Sequence, residues 1–254
     1  MTPAPLVILE EIDSTNAEAR RLAEAGETGP RWIVARRQTA GRGRRGRKWE
    51  TEQGNLAATL LVTTPRSAAE AAQATFVAAL AVADLLDVFV SPALVTIKWP
   101  NDVLLDGVKA SGILVESGRH ANGDLWLAIG IGVNLAHAPE GTERGATSVA
   151  DRLRADLTYV PPIEAAAEIL AETFAVWWGR WQTLGFEPVL DAWTSRLVGL
   201  NGPCTARLDN ETIEGLAEGV EPDGALRLRL ADGAVRLISA GDVFFGAMSK
   251  VGAA

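Results

Sequence analysis

A glycine-spaced run of cations, Gln38-Thr39-Ala40-Gly41-Arg42-Gly43-Arg44-Arg45-Gly46-Arg47-Lys48-Trp49, lies in a chain that is otherwise acidic, with 24 Lys and Arg against 32 Asp and Glu and a formal charge of −8. Glycine admits left-handed backbone and lets a ligand come close to the chain. Guanidinium groups crowded this way repel one another unless an anion sits among them. The run therefore predicts a loop that is poorly ordered when empty and ordered around a small, highly charged anion. A nucleotide phosphate with a carboxylate beside it fits that description.

Three other readings explain the run less well. Gly41-x-Gly43-x-x-Gly46 has the lettering of a dinucleotide fingerprint, and Trp32-Ile33-Val34-Ala35 upstream reads as a strand. That motif needs a helix directly after it to receive the pyrophosphate, whereas Lys48 to Asn55 carries no apolar helical period. A nucleic-acid grip is opposed by the net negative charge everywhere outside this loop. A merely solvated charged loop does not account for the interleaved glycines and the terminal Trp49.

The rest of the chain reads as support for the loop. Leu6–Leu9 is a short buried strand, and Asp13-Ser14-Thr15-Asn16 supplies capping residues for a helix over Ala17–Ala23. Asn55–Thr64 is β-branched and strand-like, closed by Pro65. Ala68–Val90 carries a core-packing helix, with Val82, Leu85, Leu86 and Phe89 at helical spacing. Val95–Trp99 is a strand, Pro100-Asn101-Asp102 a turn, Asp106-Gly107 a hairpin turn, and Gly112–Val115 and Leu125–Leu135 further core strands. A short helix is expected around Val149–Ala155, a longer one over Ile163–Trp181, and an amphipathic one marked by Phe186, Val189, Leu190, Trp193 and Leu197. Trp177, Trp178 and Trp181 read as core. From about Leu200 the texture changes to short alternating strands, Ala206–Leu208, Thr212–Leu216, Leu226–Leu230 and Val235–Ser239, the size of a small barrel. Phe244 to Ala254 gives no reading.

Composition excludes several classes. Cys204 is the single cysteine, so no internal disulfide forms, and with only His120 and His137 beside it a structural zinc site cannot be assembled. The N-terminus lacks a signal-peptide pattern, and Glu70, Gln73, Asp84 and Asp87 interrupt the longest apolar stretch, against a membrane span. A cytoplasmic location follows.

Gly41–Trp49 resembles the signature loop of the biotin protein ligases. Asp13-Ser14-Thr15-Asn16, Lys98-Trp99-Pro100-Asn101-Asp102 and Lys109-Ala110-Ser111-Gly112-Ile113-Leu114-Val115-Glu116 match further family segments in the family's order. The resemblance implies an α+β fold: a catalytic domain over residues 1–198 like that of class II aminoacyl-tRNA synthetases and biotin ligases, a mixed sheet with helices, followed by a small SH3-like β-barrel over 199–254. It implies formation of biotinyl-5′-adenylate from biotin and ATP, then transfer of biotin to a lysine of a biotin carboxyl carrier protein. Ser14, Thr15, Asn16, Gln38, Gly41, Arg42, Gly43, Arg44, Lys109 and Gly112 are the implied biotin residues. Arg42, Arg44, Arg47, Trp49, Asn101, Asp102, Lys109 and Asn134 are the implied ATP and adenylate residues, with Lys109 and Arg44 catalytic. Mg²⁺ is expected on the ATP phosphates, with no protein ligands assigned. No helix-turn-helix domain fits ahead of Leu6, so neither a DNA partner nor a membrane is expected. Relatives that pair do so through the catalytic sheet, which leaves a homodimer open. The nearest rival is a lipoate or octanoate transferase, and a rival of another class is a non-catalytic nucleotide- or RNA-binding module.

Overall fold

The computed structural model describes residues 3–142 and 145–246. Seven strands form one sheet: β1 (Leu6–Ile12), β2 (Arg31–Gln38), β3 (Leu56–Thr64), β4 (Val95–Lys98), β5 (Asp102–Leu105), β6 (Val108–Arg119) and β7 (Leu125–Val133), in the order β1-β2-β3-β7-β6-β5-β4. β1 and β2 are parallel and every other neighbour is antiparallel. One face carries α3 (Ala74–Phe89), α4 (Ile163–Leu184) and α5 (Glu187–Ser195). α3 is buried from Ala74 to Leu86 apart from Thr75 and Asp84, as expected of a helix apolar nearly all round. By length and composition alone the stretch 68–89 is apolar enough to cross a membrane; here it is the core helix. Trp32, Phe174, Trp178 and Trp181 meet in series at ring separations of 5.5, 5.6 and 4.8 Å, edge-on, stacked and edge-on in turn, so the tryptophan cluster is core.

The other face is covered by α1 (Thr15–Glu24), whose Ala19 and Ala23 pack on Ile33, Leu61, Trp126 and Ala128. α1 spans only part of the sheet, and the remainder floors a cavity. Registers place Lys98, Asp102, Gly112, Gly132 and Ala57 side by side across five strands, and Leu114, Gly130 and Thr59 in the next row. Side chains one row apart along a strand alternate faces, so these two rows, two residues apart, look the same way.

Beyond α5, Ile97 N–H donates to Arg196 O and Val198 N–H to Ile97 O, so the chain runs along the β4 edge before leaving for a second sheet. That sheet comprises β8 (Pro203–Arg207), β9 (Thr212–Val220), β10 (Leu226–Arg229), β11 (Val235–Ile238) and β12 (Asp242–Phe245), in the order β11-β10-β9-β8-β12. It is moored by Trp99 Nε1, fully buried, donating to Gly224 O at 2.9 Å.

The structure differs from expectation in three places. Val149–Ala155 makes only a single 3₁₀ turn over Ala150–Arg152, because Leu153 leaves to bridge Val90 and Arg154 N–H reaches Phe89 O. The expected helix 68–90 is split, with a short α2 (Ala68–Ala71) capped by Ser67 and Glu70 ahead of α3. The segment without a reading begins inside strand β12, whose last two residues are Phe244 and Phe245 and which is anchored where Phe245 packs on Gly199. The rest of that segment, beyond 246, lies outside the described residues.

Candidate active site

A cavity of about 900 Å³ opens between the sheet, the loop 41–49 and β12. Ser14, Thr15, Asn16, Gln38, Arg42, Gly43, Arg44, Arg47, Trp49, Asn101, Asp102, Lys109, Gly112 and Asn134 all line it. Of the residues singled out from the sequence, Gly41 alone stands apart from the wall. It sits at the base of the loop, where a Cβ would lie 2.2 Å from Trp49 O and 3.0 Å from Gln38 Nε2.

At one end is a neutral polar set. Ser14 caps α1, its Oγ accepting Ala17 N–H at 3.4 Å. Gln38, at the end of β2, accepts Thr15 N–H at 2.8 Å. Asn16 donates through Nδ2 to Glu116 Oε2 (2.8 Å) and Leu114 O (3.3 Å), and its Oδ1 lies 2.7 Å from Thr59 Oγ1. Glu116 also takes Arg42 at 3.5 Å. Gly130 is required here, since a Cβ would stand 2.0 Å from Asn16 Oδ1. Thr59 and Glu116 carried no expected role, although alternation along β6 already puts Glu116 on the same face as Gly112 and Leu114.

At the other end are the charges. Lys109 Nζ lies 2.6 Å from Asp102 Oδ1, and Lys98 Nζ lies 3.3 Å from Oδ2. Burial disfavours ionised Asp102, but the two ammonium groups outweigh it and hold the carboxyl below its ordinary range. Two cations on one anion leave one positive charge facing the cavity. Arg44 donates to Asn101 Oδ1 at 2.8 Å, and Asn101 is held in turn by Ile113 O. Burial lowers the pKa of Arg44 below the usual arginine value, against the raising effect of Asp242 and Asp102; it stays a cation at any physiological pH.

Trp49 lies over the glycine floor. A Cβ on Gly132 would stand 2.2 Å from its indole, and Lys109 Nζ is 5.7 Å from its ring centroid. Trp49 Nε1 and Asn134 Oδ1 are buried, and neither has a hydrogen-bond partner among the described residues.

The loop was expected to stand open without an anion. Instead it is folded across the cavity as a narrow hairpin, with Trp49 N–H on Gly41 O and Gly43 N–H on Arg47 O. The anions that gather its arginines belong to the protein. Arg45 pairs with Asp209, in the turn between β8 and β9, and Arg47 Nη2 pairs with Asp242 Oδ1, at the start of β12, at 2.8 Å. Arg45 takes a left-handed backbone (φ 55°, ψ 37°) and Gly46 follows at φ 72°.

A mixed sheet with a capped helix over a glycine floor, a cationic glycine loop and a C-terminal β-domain define a class, the biotin/lipoate A/B protein ligase family, whose model matches residues 8–134. Residues 199–246 match the biotin protein ligase C-terminal domain. The chain is 44% identical over 242 residues to a biotin–[acetyl-CoA-carboxylase] ligase of Paracoccus denitrificans, covering 94% of this chain and 100% of that protein. Two solved structures are similar in fold. Biotin protein ligase from Aquifex aeolicus in complex with biotin and ATP superposes with a TM-score of 0.78 at 24% identity, over 95% of this chain and 99% of that one. The Leishmania major enzyme in complex with biotinyl-5-AMP gives 0.64 at 28% identity, over 93% and 99%. The chain belongs to the biotin protein ligases.

Proposed function

We propose that the chain joins biotin to a lysine of a biotin carboxyl carrier domain in two steps, within the one cavity. A biotin carboxylate oxygen attacks the α-phosphorus of ATP, and the bond to the pyrophosphate oxygen breaks. The lysine ε-amine then attacks the acyl carbon of the adenylate, AMP leaves with the bridging oxygen, and the amine loses its proton. The observation that carries this reading is the division of the cavity, with neutral hydrogen-bonding groups at one end and a net cationic cluster at the other, joined by an apolar floor of Ala57, Gly112 and Gly132. A ligand with a polar neutral head and an anionic tail fits that division.

Ser14, Thr15 and Gln38 receive the ureido head. A carboxylate and a triphosphate repel each other, so the first step is a matter of charge and position. Lys109, aimed by Asp102, bridges the carboxylate oxygen and the phosphate. Arg42 and Arg44 lie along the adenylate. Asn134 Oδ1 accepts from the exocyclic amine of the base, and Trp49 covers the intermediate while the loop excludes water. The carboxylates lining the cavity (Glu50, Asp102, Glu140, Asp242) are dispersed, and among the described residues no group of three metal-ligating side chains occurs. That set suits a Mg²⁺ carried on phosphate oxygens, with Asp102 the nearest carboxylate to Lys109. When bound, the ion neutralises phosphate charge and favours departure of pyrophosphate.

The test is pyrophosphate release with Mg-ATP and no carrier protein, comparing biotin, lipoate and octanoate. Release with biotin alone, leaving an enzyme-held adenylate, is the expected result. Release with lipoate or octanoate and not biotin assigns the cavity to the other branch of the family.

A further inference from the structure

The hydroxyl groups beneath α1 hold too few protons for the contacts they make. Four oxygens stand in line, Asn16 Oδ1, Thr59 Oγ1, Thr15 Oγ1 and Gln38 Oε1, at successive separations of 2.7, 2.8 and 3.1 Å. Both ends are amide carbonyls that only accept. Gln38 Oε1 is fixed as oxygen because it receives Thr15 N–H at 2.8 Å, while its Nε2 faces Thr51 Oγ1 at 3.0 Å. Asn16 is fixed because its Nδ2 faces two acceptors, Glu116 Oε2 and Leu114 O, which leaves Oδ1 toward Thr59. Between these ends two hydroxyls supply two hydrogens for three gaps. One gap is bare. The longest, between Thr15 and Gln38, is the one the distances assign, with Thr59 donating to Asn16 and Thr15 donating to Thr59.

We propose that Thr59, which does not line the cavity, is a specificity-determining positioning residue: with Asn16 held by Glu116 and Leu114 O it sets the polarity of this chain, leaving Thr15 Oγ1 without a donor and Gln38 Oε1 with only the Thr15 N–H, so that the site demands a ligand N–H. The inference rests on the placement of the ureido ring at Ser14, Thr15 and Gln38 given above. A ureido group brings two N–H donors, and Ser14, whose Oγ accepts from Ala17 N–H, keeps its own proton for the ureido carbonyl. A dithiolane or a plain alkyl chain brings no donor, and Thr15 Oγ1 then faces Gln38 Oε1, whose one donor is the Thr15 N–H, with no proton between them, in a site where Thr15 and Asn16 are 4% exposed and Thr59 is 0% exposed. Leaving buried polar groups unpaired is the form of mismatch that discriminates most strongly between substrates.

Thr59 transmits the polarity because Asn16 cannot turn: its Nδ2 is held by two acceptors, Glu116 Oε2 and Leu114 O, so its Oδ1 must accept from Thr59. In Thr59→Val the chain is cut, and the Thr15 proton goes to Gln38. Thr59→Ser keeps both the hydroxyl and the polarity.

The experiment compares biotin with its cyclic carbamate analogue, in which oxygen replaces one ureido N–H, using pyrophosphate release with Mg-ATP. Wild type and Thr59→Ser are expected to prefer biotin. Thr59→Val is expected to raise the KM for biotin and to shrink the preference by about tenfold, the size of one hydrogen bond, with kcat within about twofold of wild type. Should the buried Thr59→Val fail to fold, Thr59→Ala, which removes the hydroxyl without adding a methyl, carries the test. A wild type without preference, or an unchanged preference in the folded variants, overturns the proposal. Gln38→Ala separates the two ways of failing. If it leaves the biotin KM unchanged, the ureido placement is wrong; if it raises the KM while the folded Thr59 variant lacking the hydroxyl keeps the preference, the placement stands and the proton count does not govern specificity.

Discussion

Gly130→Ala and Gly132→Ala are the same substitution, two residues apart on one face of β7, and they are expected to fail in opposite ways. At Gly130 the new methyl stands 2.0 Å from Asn16 Oδ1 and 2.8 Å from its Cγ. Asn16 cannot yield cheaply, because Glu116, Leu114 O and Thr59 hold it in a buried position. Displacing it breaks buried hydrogen bonds, and together with overpacking the cost is about 3–5 kcal/mol. For a chain of this size that corresponds to a fall in Tm of roughly 6–20 °C. At Gly132 the methyl stands 2.2 Å from the Trp49 indole, but Trp49 sits at the end of a loop fastened by exposed ion pairs. Those two pairs contribute at most about 2 kcal/mol, and lifting the loop also gives up the Arg44–Asn101 bond and the packing of Trp49 but leaves the seven-stranded core intact, so the fold survives and the cover over the adenylate is lost. Thermal unfolding gives the first quantity, and the rate at which preformed adenylate escapes to solvent gives the second. A Gly130→Ala protein melting with wild type, or a Gly132→Ala protein that holds its adenylate as wild type does, refutes the reasoning.

Four further outcomes are expected. Lys109→Ala should slow adenylate formation by about 10²–10³, the range for removing one preorganised charge-stabilising group, while biotin binding measured by calorimetry changes little; near-wild-type turnover removes Lys109 from its role. Arg44→Gly should release adenylate into solvent, detected as carrier-independent acylation of added amines, and a variant that retains it shows that Arg44 is not the clamp. The side-chain hydrogen bond from Arg21 holds the Asp13 carboxyl at about 2, against 3.8 ordinarily. The stability it contributes is thus present above its unfolded value and lost as pH falls through the folded one, and Arg21→Ala should return the NMR-detected titration toward 3.8. Burial pushes the Cys204 thiol up to about 11, so thiol reagents at pH 8 should modify it only in denaturant.

The family segments, the core strands and the amphipathic helices were legible because each depends on local pattern: alternation in Leu226–Leu230, the helical spacing from Val82 to Phe89, the capping residues at Ser14. The acid–hydroxyl network was not. Thr59 and Glu116 matter because β3, β7 and β6 pair in one register that puts Thr59 beside Gly130 and Glu116 beside Ala128, and register between strands remote in sequence leaves no local signature. Nor did the loop's expected disorder follow from its own charge, since Asp209 and Asp242, which neutralise it, lie far along the chain. Strand β12 escaped because Asp242-Val243-Phe244-Phe245 sets three apolar residues in a row and so lacks the alternation that made Leu226–Leu230 readable.

The clasp between the arginine hairpin and the C-terminal sheet also orders events in time. Arg47 and Asp242 are 195 positions apart, and a ribosome emits the first long before the second. A nascent chain can thus assemble its seven-stranded sheet while the hairpin still has nothing to fasten to. On the cover proposed for the hairpin, an adenylate formed before β12 pairs with β8 would meet water, and the intermediate could be kept only once synthesis has passed the anchor.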